Sequence, residues 1–298
     1  MGDRTMIGGT LIVFGSVLLG PPMPMAPGGA SLPNEPTPEI AVEAAEAPEV
    51  PTVEAPRPTV DQLAKGQAYR PLLGDRTTVS FHTEAPMGSF EGHTGEVLGF
   101  LIVERGCLRT DWAPETDDTG TPRGVLLAGA FSVPVISIDT GMAQRNAHMA
   151  STEWMNAQAE PAIVFELAAF EQPRKIRQEA GVTTFEGALV GDFVMHGKRK
   201  PMRIEHATVA MMPESESSTM YGPGDLLMIR CSYALKLADF GLDHPLIGRS
   251  VGKSVQIEQA ILMTSAPVDA LPAKEPTALE TPPQTGERMD PKHITPQH

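Results

Sequence analysis

Residues 185–204 read FEGALVGDFVMHGKRKPMRI, and this stretch decides the fold. Its large apolar residues keep one parity up to a His-Gly pair, and a second alternating series follows Pro201. These apolar positions are Phe185, Leu189, Phe193, Met195, Met202 and Ile204. A period of two is typical of a β-strand that buries one face. With a polar turn at 197–201, the stretch predicts a β-hairpin.

The period-two pattern recurs on both sides of this hairpin. The further alternating segments are 77–81, 163–167, 227–237 and 255–261. Two more segments, 95–104 and 125–138, are apolar at nearly every position, which is typical of strands buried on both faces. The chain therefore carries about eight predicted strands, joined by short connections.

Eight antiparallel strands predict an all-β fold, and the strand number favours a closed barrel. A closed barrel has no exposed edge that could pair with another chain. With eight strands, the interior is either filled by side chains or wide enough for one slender apolar ligand. A sandwich of two sheets is the alternative that the residues alone leave open.

The N-terminal residues 1–30 predict an export signal or a membrane anchor. The apolar run 6–20 is shorter than the about 20 residues that a membrane span needs, and small residues at 28–30 suit a cleavage site. We expect export to the periplasm or cell envelope, with cleavage favoured over anchoring. An uncleaved segment would keep the protein close to a membrane.

Proline and glutamate dominate residues 31–70, and proline punctuates the polar tail 267–298. Such segments cannot bury enough apolar surface to fold, so we predict a disordered linker and a disordered tail. The folded domain is then 71–266.

Charge and cysteine content narrow the classes of partner. The net charge is −14, from 23 basic and 37 acidic residues, so we expect no nucleic-acid partner. Cys107 and Cys231 match no zinc or redox spacing. Two buried free thiols are the favoured interpretation, and pairing in an oxidising compartment is the alternative.

The polar exception in this β-rich chain is the run Arg145-Asn146-Ala147-His148. It lies in residues 142–157, which permit a short helix, and residues 242–247 permit a shorter one. His148 could be a metal ligand or a general base. We favour a helical cap over one end of the barrel, which would shape or gate the interior.

In this cap, Asp139 and Thr140 would receive the start of the helix. Arg145 and His148 would bond to carbonyl groups at the barrel rim. His196, at the end of a strand, is predicted to be a hydrogen-bonded turn residue. The enzymatic alternative places His148 and His196 together at one barrel end, facing a pocket.

No other motif indicates chemistry. The remaining histidines show no HxH, HxxxH or HExxH spacing, and the sequence has no GxSxG, glycine-rich phosphate loop or CxxCH. We therefore predict no metal, no cofactor and no enzymatic activity.

Several segments in order resemble the YceI-like, or polyisoprenoid-binding-like, family. These segments are Val79-Ser80-Phe81, 92–99, Ile138-Asp139-Thr140-Gly141 with the Arg-Asn-Ala-His run, 160–165, 191–197 with Pro201, 238–242 and 255–257. The resemblance covers about residues 75–264. The sequence departs from the family pattern at two places. Lys198-Arg199 stands where members often have Val-Thr, and Asn146 stands where many members have an aspartate.

The resemblance implies an extended, eight-stranded, antiparallel, lipocalin-like β-barrel exported in bacteria. Its apolar tunnel would bind, transport or sequester a long isoprenoid or amphiphilic lipid without catalysis. An envelope-stress or interaction module without a ligand is the alternative function. The sequence leaves open whether the protein is a monomer or a homodimer. Strand parity selects the residues predicted to line the interior: Phe81, Ile163, Phe165, Phe193, Ile204, Leu235 and Ile257.

Overall fold

The computed structural model describes residues 52–109, 111–216 and 218–267. The predicted export segment, most of the predicted linker and all but the first residue of the predicted tail lie outside these residues. Within the described ranges, no helix has both the length and the apolar character that crossing a membrane requires.

The described residues form two α-helices, two short 3-10 helices and twelve strands. The α-helices are α1 (Val60–Lys65) and α2 (Ala143–Ala150), and the 3-10 helices are Val135–Ser137 and Leu237–Phe240. The strands are β1 (Gly66–Pro71), β2 (Thr78–Ala85), β3 (Gly88–Thr94), β4 (Leu98–Glu104), β5 (Glu115–Thr116), β6 (Pro122–Arg123), β7 (Leu126–Pro134), β8 (Ala162–Glu179), β9 (Val182–Met195), β10 (Lys198–Met212), β11 (Leu226–Lys236) and β12 (Ser254–Thr264).

Eight of these strands close into an antiparallel barrel. The order is β1-β4-β7-β8-β9-β10-β11-β12, and β12 pairs back onto β1 at Arg70↔Thr264. The hairpin β2–β3 continues the wall, because β2 pairs with β12 over residues 255–260, beside β1. The predicted all-β class and eight-stranded barrel are confirmed.

The hairpin of β9 and β10 forms where the sequence predicted it. Met195 pairs with Lys198, and the two residues between them, His196 and Gly197, have φ of 51° and 66°. Two consecutive positive φ values define the tight turn whose twist matches that of the flanking strands. The loop is shorter than the predicted 197–201, because Lys198 to Pro201 already belong to β10.

Alternating side chains fill the barrel in two apolar clusters. One cluster includes Phe170 and Phe185, and the other includes Phe193 and Phe240 and packs against Met149 and Ala150 of α2. Gly191 is required in the wall, since a Cβ there would lie 2.1 Å from the Glu166 carbonyl oxygen of β8. The alternation in the sequence thus becomes an apolar interior.

Cys107 and Cys231 are both buried free thiols, as favoured from the sequence. Burial raises the pKa of the Cys107 thiol to about 11 and that of Cys231 to about 12. Nearby Glu104 adds to the shift at Cys107.

The barrel begins earlier than the predicted boundary. Residues 60–71, assigned almost entirely to a disordered linker, form α1 and β1. Thr59 and Gln62 make a reciprocal capping box at the start of α1, and Tyr69 of β1 is buried against the core. Gly66–Pro71 lacks an apolar alternation, so its pairing with β4 supplies the strand that the sequence pattern did not indicate.

The shorter helix permitted at 242–247 does not form. A 3-10 turn, Leu237–Phe240, comes just before this segment, and Gly241 ends that turn in the left-handed conformation with φ of 71°. The backbone N–H of Leu246 then donates to Nδ1 of His244 at 3.2 Å. A side chain that bonds to nearby backbone competes with helix formation.

Candidate ligand-binding cavity

A cavity of about 620 Å³ lies inside the barrel, within the range of small-molecule sites in proteins. Its wall is mainly apolar and is built from the inward-facing parity of the strands. All seven residues selected by strand parity lie on this wall: Phe81, Ile163, Phe165, Phe193, Ile204, Leu235 and Ile257. That these side chains contact a ligand remains a prediction.

Strand register explains why these residues meet. Ile257 of β12 stands opposite Phe81 of β2 and Tyr233 of β11, so three neighbouring strands place one apolar row on the wall. Phe165 of β8 stands opposite Phe193 of β9 in the same way. Side chains opposite each other in an antiparallel pair share one face of the sheet.

The mouth of the cavity lies between α2, the β2–β3 turn and the loop 246–251, all of which contribute to the lining. Met87 and Met142 line it and are 73% and 50% exposed. Arg145 is the one permanently charged side chain among the described residues of the lining. Its guanidinium lies 4.5 Å from the centre of the Phe90 ring, a cation–π contact in place of the predicted bond to a carbonyl.

Asn146 anchors the start of α2. Its Oδ1 accepts from the backbone N–H of Thr140 at 2.9 Å and from the Thr140 hydroxyl at 2.6 Å. Its Nδ2 donates to Oδ1 of Asp139 at 2.9 Å, and that oxygen also accepts from Gly141 N–H. These bonds hold the pKa of the Asp139 carboxyl below its usual range, the bond from Asn146 contributing most. Asp139 and Thr140 therefore meet the helix through Asn146.

His148 belongs to an aromatic cluster at the mouth. The indole N–H of Trp154 donates to Nε2 of His148 at 3.1 Å, and the Trp154 ring stacks on His244 at 4.4 Å between centres. Glu153 lies 3.6 Å from the same Nε2. The predicted bond of His148 to a rim carbonyl is replaced by the indole, because Trp154 follows α2 closely enough to reach its last turn.

His148, Glu153 and His244 could each offer one metal-ligand atom, and these atoms lie within 4.8 Å of one another. Each imidazole already uses an acceptor nitrogen: His148 accepts from Trp154 and His244 accepts from Leu246. A metal ion would have to displace the indole N–H from His148 and would require the other tautomer of His244. The present arrangement therefore fits two hydrogen-bonded histidines better than a metal centre.

His196 does not join this cluster. Its Nδ1 lies 3.2 Å from the Phe240 carbonyl oxygen, and it does not line the cavity. It is the hydrogen-bonded turn residue that the sequence predicted. The enzymatic alternative required His148 and His196 to face one pocket together, and the structure does not place them so.

Sequence reasoning missed His244, Trp154 and Tyr233 as site residues. His244 and Trp154 come from different loops, and no spacing in the sequence brings them together. Tyr233 shares the parity of Leu235, so strand alternation could have found it. Burial in the barrel raises the pKa of the Tyr233 phenol, with a smaller contribution from the nearby Cys231 thiol.

The closed antiparallel barrel and its internal apolar cavity define a class of β-barrel proteins with an interior binding site. The YceI-like domain model matches residues 72–262, and the chain therefore belongs to the YceI-like family. The resemblance seen in the sequence is confirmed.

Solved structures that are similar to this chain at low identity include the following three. BcnA of Burkholderia cenocepacia is 15% identical, with a TM-score of 0.39 over 63% of this chain and 96% of that one. A polyisoprenoid binding domain from Saccharophagus degradans is 10% identical, with a TM-score of 0.45 over 67% and 99%. A YceI protein of Campylobacter jejuni is 12% identical, with a TM-score of 0.37 over 57% of this chain and 82% of that one. No curated protein sequence matches the chain.

Proposed function

We propose that this protein binds a long apolar molecule, an isoprenoid or an amphiphilic lipid, inside the barrel and carries or sequesters it without catalysis. The observation that carries the proposal is the cavity of about 620 Å³, whose wall is mainly apolar. Membership of the YceI-like family supports the same assignment.

The energetics favour such a ligand. Each buried CH₂ group contributes about 0.8 kcal/mol. A chain of about twenty such groups therefore gains about 16 kcal/mol. An association cost of about 8 kcal/mol leaves about 8 kcal/mol, which corresponds to micromolar affinity. The apolar body would lie along the inner wall, and a polar end would remain at the mouth beside Arg145.

The direct test is the content of the purified protein. Organic extraction followed by mass spectrometry should release an apolar molecule, and the emptied barrel should take up the apolar dye N-phenyl-1-naphthylamine with increased fluorescence. A protein that carries no apolar molecule and takes up none would instead be an interaction module with a barrel that serves only as scaffold.

Two neighbouring residues of β12 make a matched pair of variants. Ile257 faces the cavity and Glu258 is exposed on the outer face. Ile257→Trp should fill part of the cavity and weaken dye binding at least about tenfold, at a stability cost of about 1–3 kcal/mol. Glu258→Trp should bind the dye as the unmodified protein does. Equal binding by both variants would contradict the cavity as the binding site.

We also propose that residues 1–30 direct export to the periplasm or envelope, on the strength of the apolar run 6–20. Cell fractionation and N-terminal sequencing of the mature protein test this. A cytoplasmic, uncleaved protein would contradict it.

A further inference from the structure

Tyr233 places a hydroxyl group inside an otherwise apolar part of the barrel. It lies on β11 opposite Ile257, and its ring meets Phe193 edge-on with 6.3 Å between centres. It packs against both apolar clusters of the core and lines the cavity. The part of its side chain that retains accessible surface therefore faces the cavity.

Three other polar side chains of the cavity lining, those of Thr83, Thr94 and Gln259, have hydrogen-bond partners within the protein. The Thr83 hydroxyl accepts from Gly252 N–H at 2.9 Å, and the Thr94 hydroxyl lies 2.8 Å from that of Ser137. Gln259 donates to the Cys231 sulfur at 2.9 Å. By contrast, no group among the described residues hydrogen-bonds the Tyr233 hydroxyl.

A polar group held in an apolar interior without a partner costs free energy, so native proteins pair nearly all of them. Among the described residues, Trp112 Nε1 is also a polar atom without a hydrogen-bond partner, but it is fully buried among protein atoms. The Tyr233 hydroxyl is not sealed. Space for a partner exists beside it, and that space is the cavity.

We propose that the Tyr233 hydroxyl is a hydrogen-bonding subsite within the cavity and that the ligand carries a neutral acceptor oxygen, such as a ketone carbonyl, along its apolar body. This inference rests on the proposed function and narrows its ligand class. A plain hydrocarbon chain would leave the hydroxyl unpaired.

The acceptor is neutral because of what surrounds Tyr233. Desolvation keeps the phenol protonated, as the raised pKa of Tyr233 reflects, so it acts as a donor. The one permanent cation on the described lining, Arg145, belongs to α2 at the mouth. An ionised group beside Tyr233 would be desolvated without a counter-ion, which a neutral carbonyl avoids.

The test uses the full-length mature protein and two probes of the same shape. One is farnesylacetone, an isoprenoid ketone, and the other is the hydrocarbon in which a methylene replaces its carbonyl oxygen. Both are titrated by displacement of N-phenyl-1-naphthylamine. Tyr233→Phe should weaken ketone binding by about 3- to 10-fold, the range of one net hydrogen bond, and leave hydrocarbon binding unchanged. The matched control is Tyr221→Phe, at an exposed tyrosine beside Arg76, which should affect neither probe.

A second measurement already gives a result on the unmodified protein. The infrared carbonyl stretch of bound, ¹³C-labelled ketone should lie at lower frequency than in an alkane solvent, and Tyr233→Phe should return it towards that value. Equal loss of both probes, or no loss of either, would overturn the subsite, because the hydroxyl would then hold only water or serve packing. Hydrocarbon binding without preference for the ketone overturns the subsite alone, whereas failure of the unmodified protein to bind either probe overturns the proposed function as well.

Discussion

Asn146 shows how one side chain fixes the position of α2. Its amide satisfies Thr140 with the oxygen and Asp139 with the nitrogen, so an isosteric carboxylate could replace only half of the arrangement. Replacing the Asn146 amide nitrogen, which is a hydrogen-bond donor, by a carboxylate oxygen is the smallest change that tests how Asn146 holds the start of α2.

Asn146→Asp should place a second carboxylate against Asp139 and lower the melting temperature at pH 7 by on the order of 2–4 °C. In the unmodified protein the depressed pKa of Asp139 stabilises the fold above the ordinary carboxyl range, and this contribution is lost as the pH falls below about 4. In the Asn146→Asp variant, acid instead reduces the destabilisation, because protonation of one of the two carboxyl groups restores a hydrogen-bond donor between them. Thermal melts at pH 7 and pH 3.5 should show the deficit shrinking in acid, and the exposed Gln178→Glu on β8 should show no deficit at either pH.

At the scale of the element, α2 is held down at its far end by Trp154. The helix buries no residue fully, so its attachment depends on its ends: the Asn146 anchor at the start and the Trp154–His148 bond after the last turn. The stacking of Trp154 on His244 also links the helix to the segment that leads into the loop 246–251, which lines the cavity. The two tryptophans of the chain differ in one respect, because the Trp154 indole N–H has a hydrogen-bond partner and that of Trp112 has none among the residues the structure describes.

Trp154→Phe should lower the free energy of unfolding by about 1 kcal/mol more than Trp112→Phe does, since only Trp154 loses a hydrogen bond while Trp112 loses an unsatisfied donor. Urea titrations of the two variants measure this difference. Hydrogen exchange should also become faster in α2 of Trp154→Phe and stay unchanged there in Trp112→Phe. An equal or larger loss in Trp112→Phe would contradict a stabilising contribution from the hydrogen bond of the Trp154 indole.

At the scale of the whole molecule, closure of the barrel keeps both thiols away from water. Unfolding exposes them, and an exposed thiol ionises near pH 8.5. Because the folded pKa values are raised to about 11 for Cys107 and about 12 for Cys231, the folded state binds more protons in alkali. The contribution is complete below the unfolded pKa and is lost as the pH rises through the folded values.

The free energy of unfolding should therefore decrease from about pH 8.5 upward, by at most about 1.4 kcal/mol per pH unit for each thiol. Urea titrations at pH 8, 9 and 10 measure the slope. Cys107→Ala with Cys231→Ala should flatten it, and the remainder belongs to buried Tyr69 and Tyr233, whose pKa values are also raised. An identical slope in the double variant would contradict the thiols as its source.

The sequence by itself determined the class and the interior face of the barrel. A period of two depends on each strand alone, so Phe193, Leu235 and Ile257 could be placed on the inner wall before any pairing was known. The His196-Gly197 turn was equally readable, since its conformation is set by local residues. Gly66–Pro71 was not, because its strand exists through pairing with β4 and β12 rather than through its own alternation.

Only the tertiary structure decided how the site is completed. His148 and His244 are distant in sequence and meet at Trp154 because barrel closure brings α2 next to the loop after β11. That no described residue hydrogen-bonds the Tyr233 hydroxyl likewise depends on every neighbouring strand at once. Strand parity chose which side chains face inward, but the space left between them, and the polar group that faces it, follow from the register of the closed barrel.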